Sequence, residues 1–457
     1  MKIEQWEDKG LSHFSYAVLS ECSNQIALID PARNPQPYLD FAKQHGATIV
    51  AVIETHPHAD FVSNHLEIAN TTGATIYTHS LVNAAYAHTA FDDGQSLQLG
   101  NIKLTSIHTP GHSPDSISIL LEHHQQLKAV FTGDTLFIGD CGRPGLREGA
   151  GNIKAKRENL AKLMYASLRQ KLMPLADDVV VYPAHRAGSL CGKALSSAHS
   201  STMGAEKRTN WSLQQMSEPE FVKELLTDQP FIPAYFPFDV ELNRVGADPF
   251  AASVKQVKIG EPVTDVATAK RLDTALLVVD VRNEKVFKEG HLPRSVNIME
   301  GEKFETWLGS IIQPEEPFYL AGESDEQLQK LLQRIAAIGY EKQVREAFVV
   351  TYKEEKSQKA DKEKVAENSE AFTIVDVRNA SEVKQKIIFP NAINIPLGDL
   401  RKRVGEIPTE KPILVHCAGG YRSAAGSSLI AAQLQPQVAV LDLGEAVKSF
   451  EPQLKHS

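Results

Sequence analysis

The stretch Thr55-His56-Pro57-His58-Ala59-Asp60 decides how the first half of this chain is read. It follows the apolar run Ile49-Val50-Ala51-Val52-Ile53 after one residue, Glu54. Such a run reads as a buried strand, and strand-end loops are where a rigid scaffold places chemistry. The arrangement recurs downstream. Thr109-Pro110-Gly111-His112 follows a strand candidate at 102–107. Phe131-Thr132-Gly133-Asp134 closes one at 128–131, and Tyr182-Pro183-Ala184-His185 closes one at 179–182. Strands are also expected at 25–29 and 48–53. One such histidine alone is better read as a surface or satisfied core residue. Four strand ends that each deliver a His or an Asp, in a sheet whose strands run to one edge, point to a metal site.

With 457 residues the chain is too long for one ordinary domain. A hydrophobic share of 42% and a charged share of 23% fit a soluble globular protein with full-sized cores. The formal net charge of -9 argues against a nucleic-acid or anionic-membrane partner. Residues 1–8 lack the basic start and apolar core of a secretory signal, and no apolar run is long enough to span a bilayer. The four cysteines, Cys22, Cys141, Cys191 and Cys417, are scattered and form no CxxC pair. A disulfide framework is not expected, and a reducing cytoplasm is.

The second half holds an internal repeat. Leu276–Asn283 reads LLVVDVRN and Phe372–Asn379 reads FTIVDVRN. Pro293-Arg-Ser-Val-Asn-Ile298 is echoed by Pro390-Asn-Ala-Ile-Asn-Ile395 at nearly the same offset. That period suggests two copies of one domain rather than a solenoid. Residues 353–370 are dense in Lys and Glu and read as a solvated linker or exposed helix, and 230–249, rich in Pro and aromatics, as an irregular closing segment. The expected domains are 1–250, 255–352, a charged linker at 353–365, and 366–457.

The HxHxD run with the later His, Asp and His resembles the metallo-β-lactamase superfamily over about the first 250 residues. The resemblance implies an αββα sandwich. Dinuclear hydrolases of that superfamily continue HxHxD with a further histidine, and here that position is Phe61. A phenyl ring cannot ligate a metal, so one metal is favoured. HADF, Gly139-Asp140-Cys141-Gly142-Arg143-Pro144, and PAHRAGSLCGK at Pro183–Lys193 look like persulfide dioxygenases. That family holds one Fe(II) on two His and one Asp, which by motif are His56, His112 and Asp134. Two imidazoles and one carboxylate on one face suit non-haem iron and O2 chemistry. His58, Asp60 and His185 would then orient the ligands and bind water or substrate sulfur. A competing assignment gives His58 a direct bond to zinc. Arg143 and Lys193 are candidates to grip an acidic thiol carrier such as glutathione. Cys191 is either a sulfur relay or a buried inert thiol. Gly145, where the family often has Asp, and Arg186, where it has a small residue or Asp, bear on the carrier's identity.

Cys417 follows the strand candidate Ile413–His416 and precedes Ala418-Gly419-Gly420-Tyr421-Arg422 and a helical stretch. A cysteine in a tight Gly-rich loop at a helix N-terminus meets backbone N–H groups that stabilise a thiolate or persulfide. This resembles the CxxxxR loop of a rhodanese, a small α/β domain with a mainly parallel sheet. The resemblance makes Cys417 the nucleophile, 418–421 the persulfide-binding loop, and Arg422 a contact for anionic donors or acceptors. The first copy has Ala321-Gly322-Glu323-Ser324-Asp325 at the decisive place, with no cysteine, and is expected to lack transferase activity. The Asp280/Arg282 and Asp376/Arg378 pairs read as structural braces.

The resemblances together imply a multidomain α/β protein: an αββα sandwich followed by two small rhodanese domains. The implied function is a dioxygenase that turns a low-molecular-weight persulfide and O2 into sulfite and thiol, coupled to sulfur transfer between persulfide, sulfite and thiosulfate at Cys417. A homo-oligomer is expected. Two rivals are a zinc-dependent thioester hydrolase of the glyoxalase II type and a sulfur-binding sensor without turnover.

Overall fold

The computed structural model describes residues 1–146, 153–352 and 355–450, the side chains of 153–155 excepted. Residues 353–354, the start of the expected linker, and 451–457, the end of the last expected domain, lie outside the described residues. The chain divides into two compact units, Met1–Ser253 with Ala336–Gly339, and Val254–Ile335 with Tyr340–Ser457.

The first unit is built on two six-stranded sheets. One contains β1 (Lys2–Asp8), β2 (His13–Ser20), β3 (Gln25–Ile29), β4 (Thr48–Ile53), β5 (Thr75–Thr78) and β6 (Thr89–Ala90), neighbours in chain order. The pairing is antiparallel from β1 to β3, where tight turns join the strands, and parallel from β3 to β6. Parallel neighbours need crossover connections, here α1 (Gln36–Gln44) and α2 (His65–Thr72). The other sheet contains β7 (Ser96–Leu99), β8 (Ile102–His108), β9 (Ile117–His123), β10 (Gln126–Gly133), β11 (Val180–Pro183) and β12 (Ser201–Thr202). β7 to β10 form an antiparallel meander, and β11 returns parallel to β10 after α3 (Ile153–Ser167).

The period of two along each strand sorts side chains between layers. On β4, Ala51 and Ile53 join Phe14, Tyr16, Leu104, Ile119 and Phe131 in a core between the sheets. Val52 points the other way, to Tyr38 and Phe41 of α1 and Ile68 of α2. Met164 of α3 and Phe221 of the helix Glu218–Leu226 cover the second sheet through Val130 and Val181. The result is the αββα sandwich expected. Its five expected strands are all present, with ends shifted by at most two residues. The segment 230–249 differs from its reading, because it carries the helix Phe236–Val245. Pro237 stands in the first turn, where no N–H donor is needed, and Gly246 at φ 92° ends the helix.

The second unit holds two parallel sheets. β13 (Leu277–Asp280), β14 (Ser295–Asn297), β15 (Phe318–Gly322) and β16 (Val344–Val349) lie in the order β14-β13-β15-β16. β17 (Gln358–Lys359), β18 (Thr373–Asp376), β19 (Ile393–Asn394), β20 (Ile413–His416) and β21 (Val440–Asp442) lie in the order β17-β21-β20-β18-β19. The sequence repeat is a structural repeat down to its hydrogen bonds. Arg282 Nη2 lies 2.6 Å from Asp280, and Arg378 Nη2 lies 2.6 Å from Asp376. Asn297 and Asn394 each donate to the two backbone carbonyls of the Asp and Arg in their own copy. The DVR triplets brace strand ends.

The stretch 353–370, read as a solvated linker or exposed helix, carries a mostly exposed helix where it is described, together with a short strand. β17 pairs with β21, and the helix Lys362–Glu367 follows. Ala360 and Val365 sink into the core of Ile374, Leu414 and Leu443. Two apolar side chains are enough to dock a segment whose charged residues stay in water. Among the described residues, no helix is long and apolar enough to cross a membrane.

Candidate metal centre and sulfur-transfer loop

β8, β10 and β11 run in one direction, and their ends deliver His112, Asp134 and His185 to the edge where β4 delivers the HxHxD run. All six side chains, His56, His58, Asp60, His112, Asp134 and His185, are buried. The structure divides the run among three groups. His56 joins His112 and Asp134; Asp60 joins His185 and Cys191; His58 joins Asp30 and Glu54. Within each group the donor atoms all lie within 4.8 Å of one another.

In the first group His112 Nε2 and His56 Nε2 stand 3.4 and 3.9 Å from Asp134 Oδ2. These spacings exceed a hydrogen bond. They approach the roughly 3.0–3.5 Å between two ligands that each reach a metal at about 2.1 Å. Hydrogen bonding orients His56. Asp30 receives the Thr55 N–H at 2.7 Å and the Thr55 hydroxyl at 2.8 Å. With its proton given to Asp30, Thr55 Oγ1 accepts from His56 Nδ1 at 3.0 Å. That leaves the Nε2 lone pair for the group, as a metal ligand requires.

His185 shows the need for a positive charge from another side. Its Nδ1 lies 3.1 Å from the Ser12 carbonyl, which can only accept, so Nδ1 carries the proton. Nε2 then faces Asp60 at 3.3 Å and Asp134 at 3.4 Å. A lone pair aimed at two carboxylates is repulsive unless a proton or a cation intervenes. Burial works against the protonated ring, yet Asp60 and Asp134 together raise its pKa. Burial also pushes the Asp134 carboxyl up to about 6, and a bound cation would reverse that. The donor set therefore fits a metal ion.

His58 turns Nε2 to Asp30 at 3.2 Å and Glu54 at 3.6 Å. Burial, then the Asp30 charge, lifts Glu54 well above the usual carboxylate range. Phe61 packs on the His58 ring at 4.3 Å and on His13 at 3.8 Å. Cys191 is buried, and burial pushes its thiol up.

The two residues read as grips for a thiol carrier are occupied by protein groups. Arg143 is buried and donates to the carbonyls of Pro230 and Phe231. Lys193 places its ammonium 2.8 Å from Glu224 Oε1 and over the Trp211 ring. The two motifs that contain them interlock, since the Arg143 N–H meets the Cys191 carbonyl and Asp140 accepts from the backbone of Lys193 and Ala194. Instead, a cavity of about 270 Å³ opens beside His112, lined by Ser113, Pro114, Leu146, Lys156, Asn159 and Leu160. Sequence reasoning missed Asp30, Glu54 and His13. His13 carried no sequence signal; the structure places it at the head of a strand whose eight residues are all buried.

In the second unit Cys417 is buried at the end of β20, and the Gly420 N–H points to its Sγ at 3.1 Å. Gly420 sits at φ 104°, in the left-handed region that favours glycine. Ala418 and Gly419 are exposed. The helix Tyr421–Leu434 starts from this loop. Arg422, read as an anion contact, has its fork engaged by Glu382 at 2.6 and 2.7 Å. The Tyr421 hydroxyl donates to the Met299 carbonyl of the first copy at 2.7 Å. In that copy the matching loop has no thiol, and Gln327 caps it through the Glu323 N–H.

An αββα sandwich with His and Asp side chains gathered at strand ends, followed by two parallel-sheet domains of which one presents a cysteine loop, defines a metal-binding enzyme fold joined to two small α/β modules. Comparison with known proteins agrees. Residues 10–185 match the metallo-beta-lactamase superfamily, and residues 265–347 and 355–446 match the rhodanese-like domain. The chain belongs to the metallo-beta-lactamase superfamily and carries two rhodanese-like domains. A probable hydroxyacylglutathione hydrolase of Schizosaccharomyces pombe is 30% identical over 48% of this chain and 88% of its own length. The mitochondrial persulfide dioxygenase of Homo sapiens is 29% identical over 38% of this chain, which spans 63% of that relative's length. A solved metallo-beta-lactamase structure from Staphylococcus aureus is 29% identical, with a TM-score of 0.68 over 76% of this chain and 99% of that one.

Proposed function

We propose that the first unit is a persulfide dioxygenase with one Fe(II) held by His56, His112 and Asp134, and that Cys417 carries sulfane sulfur in a coupled rhodanese reaction. Identity alone favours neither the dioxygenase nor the thioester hydrolase, since both relatives lie near 30%. The observation that carries the reading is the partition of the HxHxD run. It supplies a two-His, one-carboxylate set, and the next position holds the phenyl ring of Phe61. When bound, iron in such a set supplies open positions for O2 and sulfur chemistry. The terminal sulfur of the persulfide loses four electrons to O2, and with one water gives sulfite, two protons and the free thiol.

The chain's own groups do the rest. Asp30 and Thr55 hold the His56 tautomer, and Asp60 orients His185. The cavity beside His112 admits the carrier. Burial excludes water from the carboxylates, which strengthens each electrostatic contact. Sulfite can then accept sulfur from a Cys417 persulfide to give thiosulfate, or the reverse reaction can supply a persulfide. Four scattered free cysteines fit a reducing cytoplasm.

The test is O2 uptake by anaerobically prepared, metal-assayed protein given glutathione persulfide. Uptake proportional to iron, abolished in Asp134→Ala, with thiosulfate sulfurtransferase activity kept, is the expected result. Cys417→Ser should do the opposite. The second reading, a zinc thioester hydrolase, is favoured by the hydrolase likeness over 88% of that relative. Zinc content with glutathione thioester hydrolysis and no O2 uptake would replace the first reading with it.

A further inference from the structure

His13 opens β2, and its backbone forms an isolated bridge to His185. Its ring lies 3.8 Å from Phe61, with the rings of His58 and His185 at 5.7 and 5.6 Å. The side chain is buried, and Nε2 has no hydrogen-bond partner. Buried polar groups in folded proteins are bonded as a rule, so an unpaired one calls for a missing partner. The metal trio does not supply it, because His13 belongs to none of the three groups. His185 Nε2 and both ring nitrogens of His58, on the two rings next to His13, show the same deficit. Phe61 packs on two of these rings, His13 and His58, at the position where dinuclear relatives would carry a further ligand. Phe61 fills that place with a ring that cannot bind a metal, and His13 stacks against it.

We propose that His13 is a substrate-contacting residue, whose Nε2–H donates a hydrogen bond to the negatively charged sulfur of a thiolate or persulfide held beside the metal position. This rests on the persulfide reading above. An anionic sulfur in a buried site needs donors, and a neutral imidazole adds one without placing a second cation beside His185. Burial, then His185 and His58, keep the ring of His13 well below its usual pKa, in keeping with a neutral donor. A histidine that served only to pack on Phe61 would be replaced without loss by another planar ring.

The experiment uses the full chain loaded with cobalt and titrated anaerobically with glutathione, followed by the thiolate-to-cobalt absorption band. Wild type, His13→Phe and His13→Gln are compared, with metal content measured in each. The phenyl ring keeps the stacking and removes the donor, whereas Gln keeps a donor. The expected result is unchanged metal content, glutathione binding about 10- to 100-fold weaker in His13→Phe, and recovery of most of that loss in His13→Gln. Equal binding by wild type and His13→Phe would overturn the proposal, as would a fall in metal content in both variants. If wild type binds no glutathione at all, the contact is wrong. If wild type binds it and His13→Phe does not, yet the iron form takes up no O2, the dioxygenase reading fails while the contact stands.

Discussion

Gly142 offers the sharpest test of the metal centre. A Cβ built at this position would lie 1.8 Å from the Asp134 carbonyl oxygen, 2.9 Å from its carbonyl carbon and 3.2 Å from His112 Nδ1. Its φ lies outside the left-handed region, so space rather than conformation demands glycine here. Real Cβ atoms essentially never come closer than 3.0 Å to such neighbours, so Gly142→Ala must open the gap by at least about 1.2 Å. The clash is with backbone, which cannot swing aside as a flexible side chain can. Both crowded residues belong to the trio with His56. Metal–ligand distances tolerate only about 0.2 Å, and a displacement of about 1 Å at a reacting centre costs roughly 100-fold. Gly142→Ala should therefore lower iron retention and O2 uptake by about 100-fold or more, which is about 2.7 kcal/mol. The assay is metal per chain after gel filtration, with O2 electrode traces on the same sample. Sulfur transfer from thiosulfate at Cys417 serves as an internal control that the protein is folded. Full iron content with O2 uptake within about twofold of wild type would refute the placement of Asp134 and His112 on one metal.

Stability of the metal-free protein should depend on pH in a definite sense. Burial lifts Asp134 to about 6 and Glu54 well above the ordinary range, so the folded protein keeps protons that the unfolded chain releases near pH 4. For Asp134 that stabilisation is complete below about pH 4 and is lost as pH rises through about 6. Buried His13 and His65, with pKa values lowered by burial, act in the opposite sense over this range, so the test is the difference between wild type and Asp134→Asn. The metal-free melting temperature of wild type relative to the variant should fall from pH 5 to pH 7, and a constant difference by scanning fluorimetry would contradict this. In the sulfur-transfer loop, Arg422→Lys cannot reproduce the fork to Glu382, and Glu382→Gln removes its charge. The pair is partly exposed, so each change should lower kcat/KM with thiosulfate by roughly fivefold, and the double variant should lose no more than either single. Additive losses would show that Arg422 acts apart from Glu382.

Much of this was legible in the order of residues. The apolar runs ending in His or Asp located the strands and their loaded ends, because a buried strand imposes β-branched residues and its exit loop is free to carry chemistry. The DVR repeat disclosed the duplicated domain, because one brace of Asp, Arg and Asn recurs at the same strand ends. The missing thiol of the first copy was visible as a plain substitution. Three matters were decided by tertiary structure alone. Which member of HxHxD belongs to which group depends on Asp30 and Cys191, brought in from other strands and loops, and on Glu54 just ahead of the run. Arg143, Lys193 and Arg422 looked like cations awaiting an anion, yet they are taken up by Pro230, Phe231, Glu224 and Glu382, at separations of 31 to 88 residues. His13 has no motif at all, and gains meaning only from the ring of Phe61 against which it packs. Local pattern specifies elements because periodicity and turn chemistry act over a few residues. The partner of a buried charge is set by chain crossings, and those exist only once the sheets have closed on one another.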